Sequence, residues 1–204
     1  MEFYNVARSA VYGFFKVFFR VEVDGKENIP TDEAFIVCSN HISNLDPPLL
    51  GACMPFQLAF MAKEELFKNK IFGALIRALG AFPVRRGTGD IGALRSAVKL
   101  LKSGKRIVIF PEGGRSDGKH LRKGKPGAAL IAVKAGVGIL PVGIEGRYKP
   151  FGKIKVHIGK MIRLDEYAER KIESEDLKSV TDKIIMPAIS QLSGVRTYED
   201  RISG

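Results

Sequence analysis

The sequence of 204 residues contains no tryptophan, only two cysteines and three histidines, and no long run of apolar residues. Two cysteines are too few for a disulfide-rich secreted scaffold, and three scattered histidines give no cluster with metal-ligand spacing. A spanning helix needs about 20 consecutive apolar residues, whereas Arg8, Lys16 and Arg20 interrupt the most apolar stretch. Because 45% of the residues are hydrophobic, disorder is also excluded. We therefore expect a globular protein from a reducing compartment, with no bound metal and no spanning segment.

Acidic residues are also scarce, since 22 of them stand against 33 basic residues and leave a formal charge of +11. The excess is concentrated between Arg85 and Lys125, where there are twelve Lys or Arg and three acidic residues. A basic segment between apolar strands predicts an anionic partner: a phosphate on a small molecule, a lipid headgroup or nucleic acid. Nucleic acid is disfavoured because the segment has no interleaved aromatic residues and no recognisable reading motif.

The first apolar residues of the chain recur at alternating steps of three and four. This spacing holds for Tyr4, Ala7, Val11, Phe14 and Phe18, and the stripe is widened by Phe3, Ala10 and Phe15. The opposite side carries Arg8, Tyr12, Lys16 and Arg20. The pattern predicts an amphipathic helix over residues 3–19, which either lies in a bilayer interface or docks on the core of the protein. We expect residues 1–20 to form a membrane-interface helix and residues 21–204 to form a separate domain.

Beyond this helix, short apolar segments alternate with helical stretches of ten or more residues. The predicted strands cover residues 21–23, 34–39, 58–62, 81–85, 106–110, 139–144 and 154–158. The predicted helices cover residues 64–79, as one or two helices, and residues 90–103, 127–135 and 174–191. This alternation indicates crossover connections. The expected fold is therefore α/β, with a largely parallel mixed sheet flanked by helices.

One glycine-rich segment favours a different function. Residues Gly87-Thr88-Gly89-Asp90-Ile91-Gly92 spell G-x-G-x-x-G, a pattern that binds a dinucleotide when it joins a strand to a helix. Against this interpretation, we expect Pro83 to break the preceding strand, and Arg85 and Arg86 stand where a tight turn is needed. Dinucleotide binding is kept as an alternative.

A second segment, Asn40-His41-Ile42-Ser43-Asn44-Leu45-Asp46-Pro47-Pro48, directly follows a predicted buried strand. His41 and Asp46 are five residues apart and meet only if the chain turns between them. Asn44 and Asp46 favour turns, and Asp46 before Pro47 has the form of a helix N-cap. In such a turn Asp46 accepts a hydrogen bond from one imidazole nitrogen and leaves the other as a base. The alternative is that Asp46 only caps the helix and His41 is a surface residue.

Four segments in this order resemble the sequence blocks of the glycerolipid acyltransferases. They are Asn40-His41-x4-Asp46-Pro47, Gly80-Ala81-Phe82-Pro83-Val84-Arg85-Arg86, Phe110-Pro111-Glu112-Gly113-Gly114-Arg115-Ser116 and Leu140-Pro141-Val142. The third block of the family usually reads Phe-Pro-Glu-Gly-Thr-Arg-Ser, so Gly114 replaces a threonine here. A small residue in a loop should leave Glu112 and Arg115 in place.

The resemblance implies transfer of an acyl group from a thioester to the free hydroxyl of a 1-acylglycerol-3-phosphate, without a cofactor. The donor is acyl-carrier protein or acyl-CoA, and glycerol-3-phosphate or another lyso-lipid remains an alternative acceptor. His41 is then the general base and Asp46 orients its ring. No protein nucleophile is needed because a thioester is already activated, and Cys38 is interpreted as a buried strand side chain.

The resemblance also implies substrate-binding roles for five further residues. Arg86 and Arg115 bind the phosphate through planar guanidinium groups. Glu112, followed by Gly113 in the same loop, hydrogen-bonds the acceptor, and Pro141 with its neighbouring amides shapes the acyl and oxyanion region. Because a lysophospholipid resides in a bilayer, we expect peripheral binding to the anionic cytoplasmic face of the cell membrane.

Overall fold

The computed structural model describes residues 2–84, 91–168 and 172–202 of the chain. Within them the strands are β1 (Arg20–Asp24), β2 (Phe35–Ser39), β3 (Leu58–Lys63), β4 (Ala81–Val84), β5 (Arg106–Ile109), β6 (Gly138–Gly146) and β7 (Lys153–Ile158). The helices are α1 (Glu2–Phe18), α2 (Asp46–Cys53), α3 (Lys70–Ala78), α4 (Ile91–Lys102), α5 (Gly127–Ala135), α6 (Asp165–Ala168), α7 (Ser174–Val180), α8 (Met186–Ser193) and α9 (Tyr198–Ile202).

The strands of the described residues form one sheet in the order β1-β7-β6-β2-β5-β3-β4. β6 and β7 pair antiparallel, and every other neighbouring pair is parallel. The predicted α/β fold with a largely parallel mixed sheet is therefore confirmed. Since β5, β2 and β6 are adjacent and run in the same direction, the loops that follow them emerge at the same edge of the sheet.

Apolar side chains cover both faces of the sheet. On one face, Val37 and Leu140 pack with Leu49 and Leu50 of α2 and with Phe15 of α1. On the other face, the sheet packs against α4, α5, α7 and α8 through residues that include Leu101, Ile131, Val180 and Ile189. All five residues of β2 are buried. The strand that leads to His41 is thus held from both sides.

Helix α1 is both docked on the core and exposed to solvent. Its docked side buries Phe15, and the Tyr4 hydroxyl donates to the Gly51 and Phe56 carbonyls at 3.3 and 3.2 Å. Its outer side leaves Val6 and Val17 69% and 66% exposed. The docking interpretation of the amphipathic pattern is therefore right for one side of the helix. The bilayer-interface interpretation and the division of the chain at residue 20 stay predictions.

The assignment of Arg8 to the solvent side of this helix was wrong. Arg8 is half-buried, and its Nη1 donates to the Met54 carbonyl at 2.8 Å. Met54 follows the last residue of α2, where backbone carbonyls lack partners within the helix. The Arg8 side chain supplies the missing hydrogen bond to this carbonyl. Hydrophobic periodicity in the sequence does not predict such a contact. In the part of the chain that is described, no helix has the length and apolar character to cross a bilayer.

Two predicted elements differ from the observed ones. Pro83 lies inside β4 and does not break it, because β4 is the edge strand of the sheet and tolerates a missing N–H. The segment 64–79, predicted as one or two helices, forms a 3₁₀ turn and α3, whose N-cap Asn69 accepts from the Phe72 amide at 3.0 Å. The helix over 174–191 contains a π-helical segment at Thr181–Ile185, just before Pro187, which has no N–H for the α-helical ladder.

Candidate active site

The loop that carries His41 begins at a fixed point on the sheet. The side-chain amide of Asn40 donates to the Ile144 carbonyl at 2.9 Å, and its oxygen accepts from the Ile144 amide at 2.7 Å. Asn40 is fully buried. Its side chain therefore extends the pairing of β2 with β6 by one residue, and the turn begins directly after it.

His41 and Asp46 form a buried hydrogen-bonded pair, with 2.8 Å between His41 Nδ1 and Asp46 Oδ2. The same oxygen accepts from the amides of Ile42 and Ser43 at 2.7 Å each. The His41 ring also stacks on Phe110, with centroids 4.1 Å apart and planes 19° from parallel. The ring is therefore fixed from two sides, and Nε2 is the nitrogen not bonded to Asp46.

The structure differs from the expectation in how Asp46 serves the turn. Asp46 is the first residue of α2 and not its N-cap, and its carboxylate points back to the amides of the loop. Pro47 occupies the first turn of the helix, where no N–H is required. The carboxylate thus closes the turn by accepting from the loop amides, and it also bonds to the His41 ring. The two predicted roles of Asp46, in the turn and as the partner of His41, therefore occur together.

The loop after β5 holds the main chain of His41. The His41 amide donates to Glu112 Oε1 at 2.8 Å, and the Ser116 amide donates to the His41 carbonyl at 2.8 Å. Glu112 Oε2 accepts from the Arg122 amide at 2.7 Å. Desolvation by burial raises the pKa of Glu112, although both backbone hydrogen bonds oppose that rise. The predicted bond from Glu112 to the acceptor stays a prediction.

Two adjacent glycines in this loop meet different surroundings. Gly113 has a φ of 66°, and a Cβ there would lie 2.7 Å from Cε of Lys125. A side chain would be strained at Gly113 and would displace the lysine. A Cβ at Gly114 would meet only the guanidinium of Arg122, the mobile end of a long side chain. The departure from the family pattern therefore occurs at the more permissive glycine.

A basic cavity of about 460 Å³ opens beside Glu112 and is lined by Arg115 and Lys125. Its other lining residues include Ser116, His120, Arg122 and Lys123. Arg115 is exposed and directly precedes Ser116, whose amide bonds to His41. Arg115 is therefore the sequence neighbour of a residue that is hydrogen-bonded to the His41 turn. Arg86 and residues 87–90 of the glycine pattern lie outside the described residues.

Comparisons with known proteins agree with this arrangement. Residues 20–145 match the model of the Acyltransferase family. The chain belongs to the acyltransferase family. It is 33% identical over 172 residues to the 1-acyl-sn-glycerol-3-phosphate acyltransferase of Bacillus subtilis. The matched region covers 80% of this chain and 84% of that protein.

Two further comparisons support the family assignment. The chain is 35% identical to the enzyme of the same name from Streptococcus pneumoniae over 86% of this chain and 61% of the relative. The crystal structure of the 1-acyl-sn-glycerophosphate acyltransferase PlsC from Thermotoga maritima matches with a TM-score of 0.69 and 34% identity. That match covers 91% of this chain and 79% of the other. The predicted family and enzyme class are confirmed.

Pro141 is the predicted site residue that the acyltransferase structure does not bring to the His41 turn. It pairs with Cys38 inside the sheet. Because Cys38 lies three residues before His41, this position is about 10 Å along the strand from His41. It lines a cavity with Gly159 and Leu192 on the face that packs against α8, whereas α2 covers the other face. Its part in shaping the acyl region stays a prediction.

Both cysteines of the acyltransferase are buried. Burial raises the pKa of Cys38 far above its ordinary range and that of Cys53 to about 12. Neither thiol has the environment of an activated nucleophile. Among the described residues, no group of three or more His, Cys, Asp or Glu side chains is arranged to hold a metal ion.

Sequence reasoning missed Tyr148, whose hydroxyl donates to Asp46 Oδ1 at 2.8 Å. Tyr148 follows β6 by two residues, so it emerges at the same edge of the sheet as His41. The strand order determines this proximity. The one signal in the sequence was a tyrosine near the end of a predicted strand, which is too common to single out.

Proposed function

We propose that this acyltransferase transfers an acyl group from a thioester donor to the free hydroxyl of a 1-acylglycerol-3-phosphate, giving phosphatidic acid. The observation that carries this proposal is the buried pair of His41 and Asp46, 2.8 Å apart, beside a cavity lined by Arg115. A base, with an arginine on the loop that is hydrogen-bonded to its main chain, suits an acceptor that combines a hydroxyl with a phosphate. The names of the relatives favour the same acceptor.

In the proposed reaction His41 acts through Nε2 while Nδ1–H donates to Asp46. Nε2 takes the proton of the acceptor hydroxyl as the oxygen attacks the carbonyl carbon of the thioester. The tetrahedral intermediate collapses, the carbon–sulfur bond breaks, and the imidazolium returns its proton to the leaving thiolate. Asp46 stabilises the imidazolium in between. The products are the ester and a free thiol.

The proposed phosphate site consists of Arg115 together with Arg86. The planar fork of a guanidinium matches two oxygens of a phosphate monoester, and it remains charged at every relevant pH. Arg122 and Lys125 line the same cavity and add positive charge around it. Such a cavity attracts a dianionic acceptor and repels a cationic one.

An assay with two acceptors and two donors tests this proposal. Purified protein is given lysophosphatidate or glycerol-3-phosphate, each with acyl-carrier protein or coenzyme A as the acyl carrier. We expect phosphatidic acid from lysophosphatidate with at least one of the two donors. Product from glycerol-3-phosphate alone would replace the proposed acceptor, and the absence of product in all four arms would contradict the proposal.

We also propose that the protein binds peripherally to the anionic cytoplasmic face of the cell membrane, where its lipid acceptor and its thioester donor meet. The outer side of α1 exposes Val6, Phe14, Val17 and Phe18. Phe151 is 67% exposed, and its amide donates to the Phe18 carbonyl at 2.7 Å, so this loop adjoins the end of α1. The basic residues Lys16, Arg20 and Lys149 are exposed and lie within two positions of Phe14, Phe18 and Phe151 in the sequence. Apolar insertion and attraction to anionic headgroups together give stable binding.

Point variants test the membrane proposal better than removal of residues 1–20, which would also uncover the core packed on Phe15. Val6→Ser combined with Val17→Ser should reduce flotation with anionic vesicles while the melting temperature stays close to that of the wild type. A comparison arm, Ile71→Ser with Leu75→Ser, changes two of the exposed apolar residues of α3. Release by the α3 variant but not by the α1 variant would place the membrane contact on α3. Binding of the wild type should weaken as salt rises.

A further inference from the structure

Tyr148 connects the catalytic turn to α1, and no sequence motif assigns it a role. It lies in the loop between β6 and β7, and its hydroxyl is 2.8 Å from Asp46 Oδ1. Asp46 Oδ2 already accepts from His41 Nδ1 and from two backbone amides. Because Asp46 has no exposed surface, Tyr148 is the side chain that satisfies its second oxygen.

The direction of this hydrogen bond is fixed by the surroundings of Tyr148. Burial, and after it the charge of Asp46, raises the pKa of Tyr148 far above its usual value, so the hydroxyl keeps its proton. A protonated phenol facing a carboxylate acts as the donor. Two other titratable groups face the cluster, since Cys53 lies near Tyr148 and Glu112 near His41.

The ring of Tyr148 rests on the last turn of α1 and the residue that follows. It meets Phe19 edge-on with centroids 5.5 Å apart at 87°, and Phe15 with centroids 6.4 Å apart at 56°. The loop is tied to the same end of α1 because the Arg20 amide donates to the Gly152 carbonyl at 2.8 Å. The position of the Tyr148 hydroxyl therefore depends on how α1 is docked.

We propose that Tyr148 is a positioning residue, which holds the Asp46 carboxylate against His41 and makes the alignment of this pair depend on the docking of the last turn of α1, at the opposite end of the helix from Tyr4. Tyr148 acts through Asp46 and does not touch the reacting atoms. The assignment of a rate effect rests on the proposed function, since it assumes that His41 is the base. The alignment itself is a property of the folded protein and can be measured without turnover.

Tyr148→Phe tests the proposal because it removes only the hydroxyl and keeps the ring on Phe15 and Phe19. We expect kcat to fall about tenfold with both KM values within about twofold, since a hydrogen bond to a charged group is lost but no substrate contact is. Tyr4→Phe is the matched control, because it also removes a hydroxyl that links α1 to the core. The control should leave kcat within about twofold of the wild type.

A spectroscopic measurement separates this inference from the proposed function. The proton that His41 Nδ1 shares with Asp46 should give a downfield resonance in the proton NMR spectrum of the wild type. Tyr148→Phe should shift or broaden that resonance, and Tyr4→Phe should not. If the wild type fails to acylate lysophosphatidate, the proposed function is wrong, and the resonance still decides whether Tyr148 aligns the pair.

A double-mutant cycle tests the link to α1. Phe19→Leu should lower kcat in the wild-type background and have a smaller effect in the Tyr148→Phe background, because the two changes act through one hydroxyl. Additive effects would overturn the link. Unchanged kcat and an unchanged resonance in Tyr148→Phe, or losses that match those of Tyr4→Phe, would overturn the positioning role.

Discussion

The main-chain amide of His41 donates to the buried carboxylate of Glu112, 71 positions further along the chain, at 2.8 Å. The other oxygen of Glu112 accepts a hydrogen bond from the Arg122 amide. One side chain therefore joins the turn after β2 to two parts of the segment after β5. This gives Glu112 a positioning role within the protein, in addition to the predicted bond with the acceptor.

Glu112→Gln should change the pH dependence of stability. Burial raises the pKa of Glu112 above its ordinary value of 4.5, so over the interval between the two values the folded state binds more protons than the unfolded state. The contribution of this carboxyl to the free energy of unfolding therefore falls as pH rises through that interval. Because glutamine does not titrate, the stability of the variant relative to the wild type should rise with pH. Urea unfolding of both proteins from about pH 4 to about pH 8 measures this difference, and a constant difference would contradict the prediction.

His41→Ala should abolish catalysis and leave the fold intact. A general base contributes about 10² to 10⁴ in rate, so kcat should fall by at least about a hundredfold. His157→Ala is the matched control because the His157 ring, like that of His41, contacts carboxylate oxygen, with Asp24 and Glu145 at 3.3 and 3.1 Å. Its activity should stay near that of the wild type. A His41→Ala protein with more than a few per cent of wild-type activity would exclude His41 as the base.

Asp46→Asn should lower kcat and also weaken the turn. In the wild type, the amides of Ile42 and Ser43 and the hydroxyl of Tyr148 donate hydrogen bonds to the carboxylate. The NH₂ group of an asparagine would face one or more of these donors, and two donors cannot form a hydrogen bond. We expect a loss of about 1 to 3 kcal/mol in the free energy of unfolding, the usual cost of an unsatisfied buried group. Thermal and urea unfolding measured beside the kinetics separate the two effects. A stable variant with full activity would exclude the orienting role.

Arg115→Ala should raise KM for the phosphorylated acceptor about tenfold or more while kcat changes little, because it removes a charge-assisted contact formed before the chemical step. Arg115→Lys should recover only part of the loss, since an ammonium group lacks the planar fork. We expect the same from Arg86→Ala. Arg163→Ala is the control, since Arg163 is exposed and pairs with Glu33. Unchanged acceptor kinetics in both the Arg115 and the Arg86 variants would exclude the phosphate site.

Thiol reagents should leave the native enzyme active. Cys38 and Cys53 are buried, and burial raises the pKa of Cys53 to about 12, so very little thiolate is available to react. Both thiols should react rapidly only after denaturation. The measurement is the rate of colour release with a disulfide reagent, followed together with acyl transfer. Fast inactivation of the folded protein would indicate a thiol with a functional role.

Local patterns predicted much of this fold, because strands and helices carry their periodicity within a few residues. The segments 106–110 and 127–135 match β5 and α5 to within one residue. The turn between His41 and Asp46 was also predictable, since turn-forming residues and a proline lie between two well-marked elements. The resemblance to a family then linked this turn to the segment around Glu112.

Contacts between distant segments were not predictable. The order of the strands places Tyr148 beside Asp46, although 102 positions separate them. Arg8 docks because the end of α2 leaves the Met54 carbonyl without a partner, and such a requirement appears only when two helices lie side by side. Pro141 was expected to help shape the acyl and oxyanion region because its segment belongs to the same set of blocks. Its actual position depends on the register of β6 against β2.

Gly113 and Gly114 differ in which substitutions they can tolerate. At Gly113 the left-handed backbone disfavours nearly every side chain, so a library of random variants selected for activity should retain glycine there. At Gly114 a new side chain needs only that the Arg122 guanidinium swing away. Mutational tolerance thus changes sharply between two neighbouring residues of identical chemistry, and the position where this chain already departs from its family's pattern is the tolerant one.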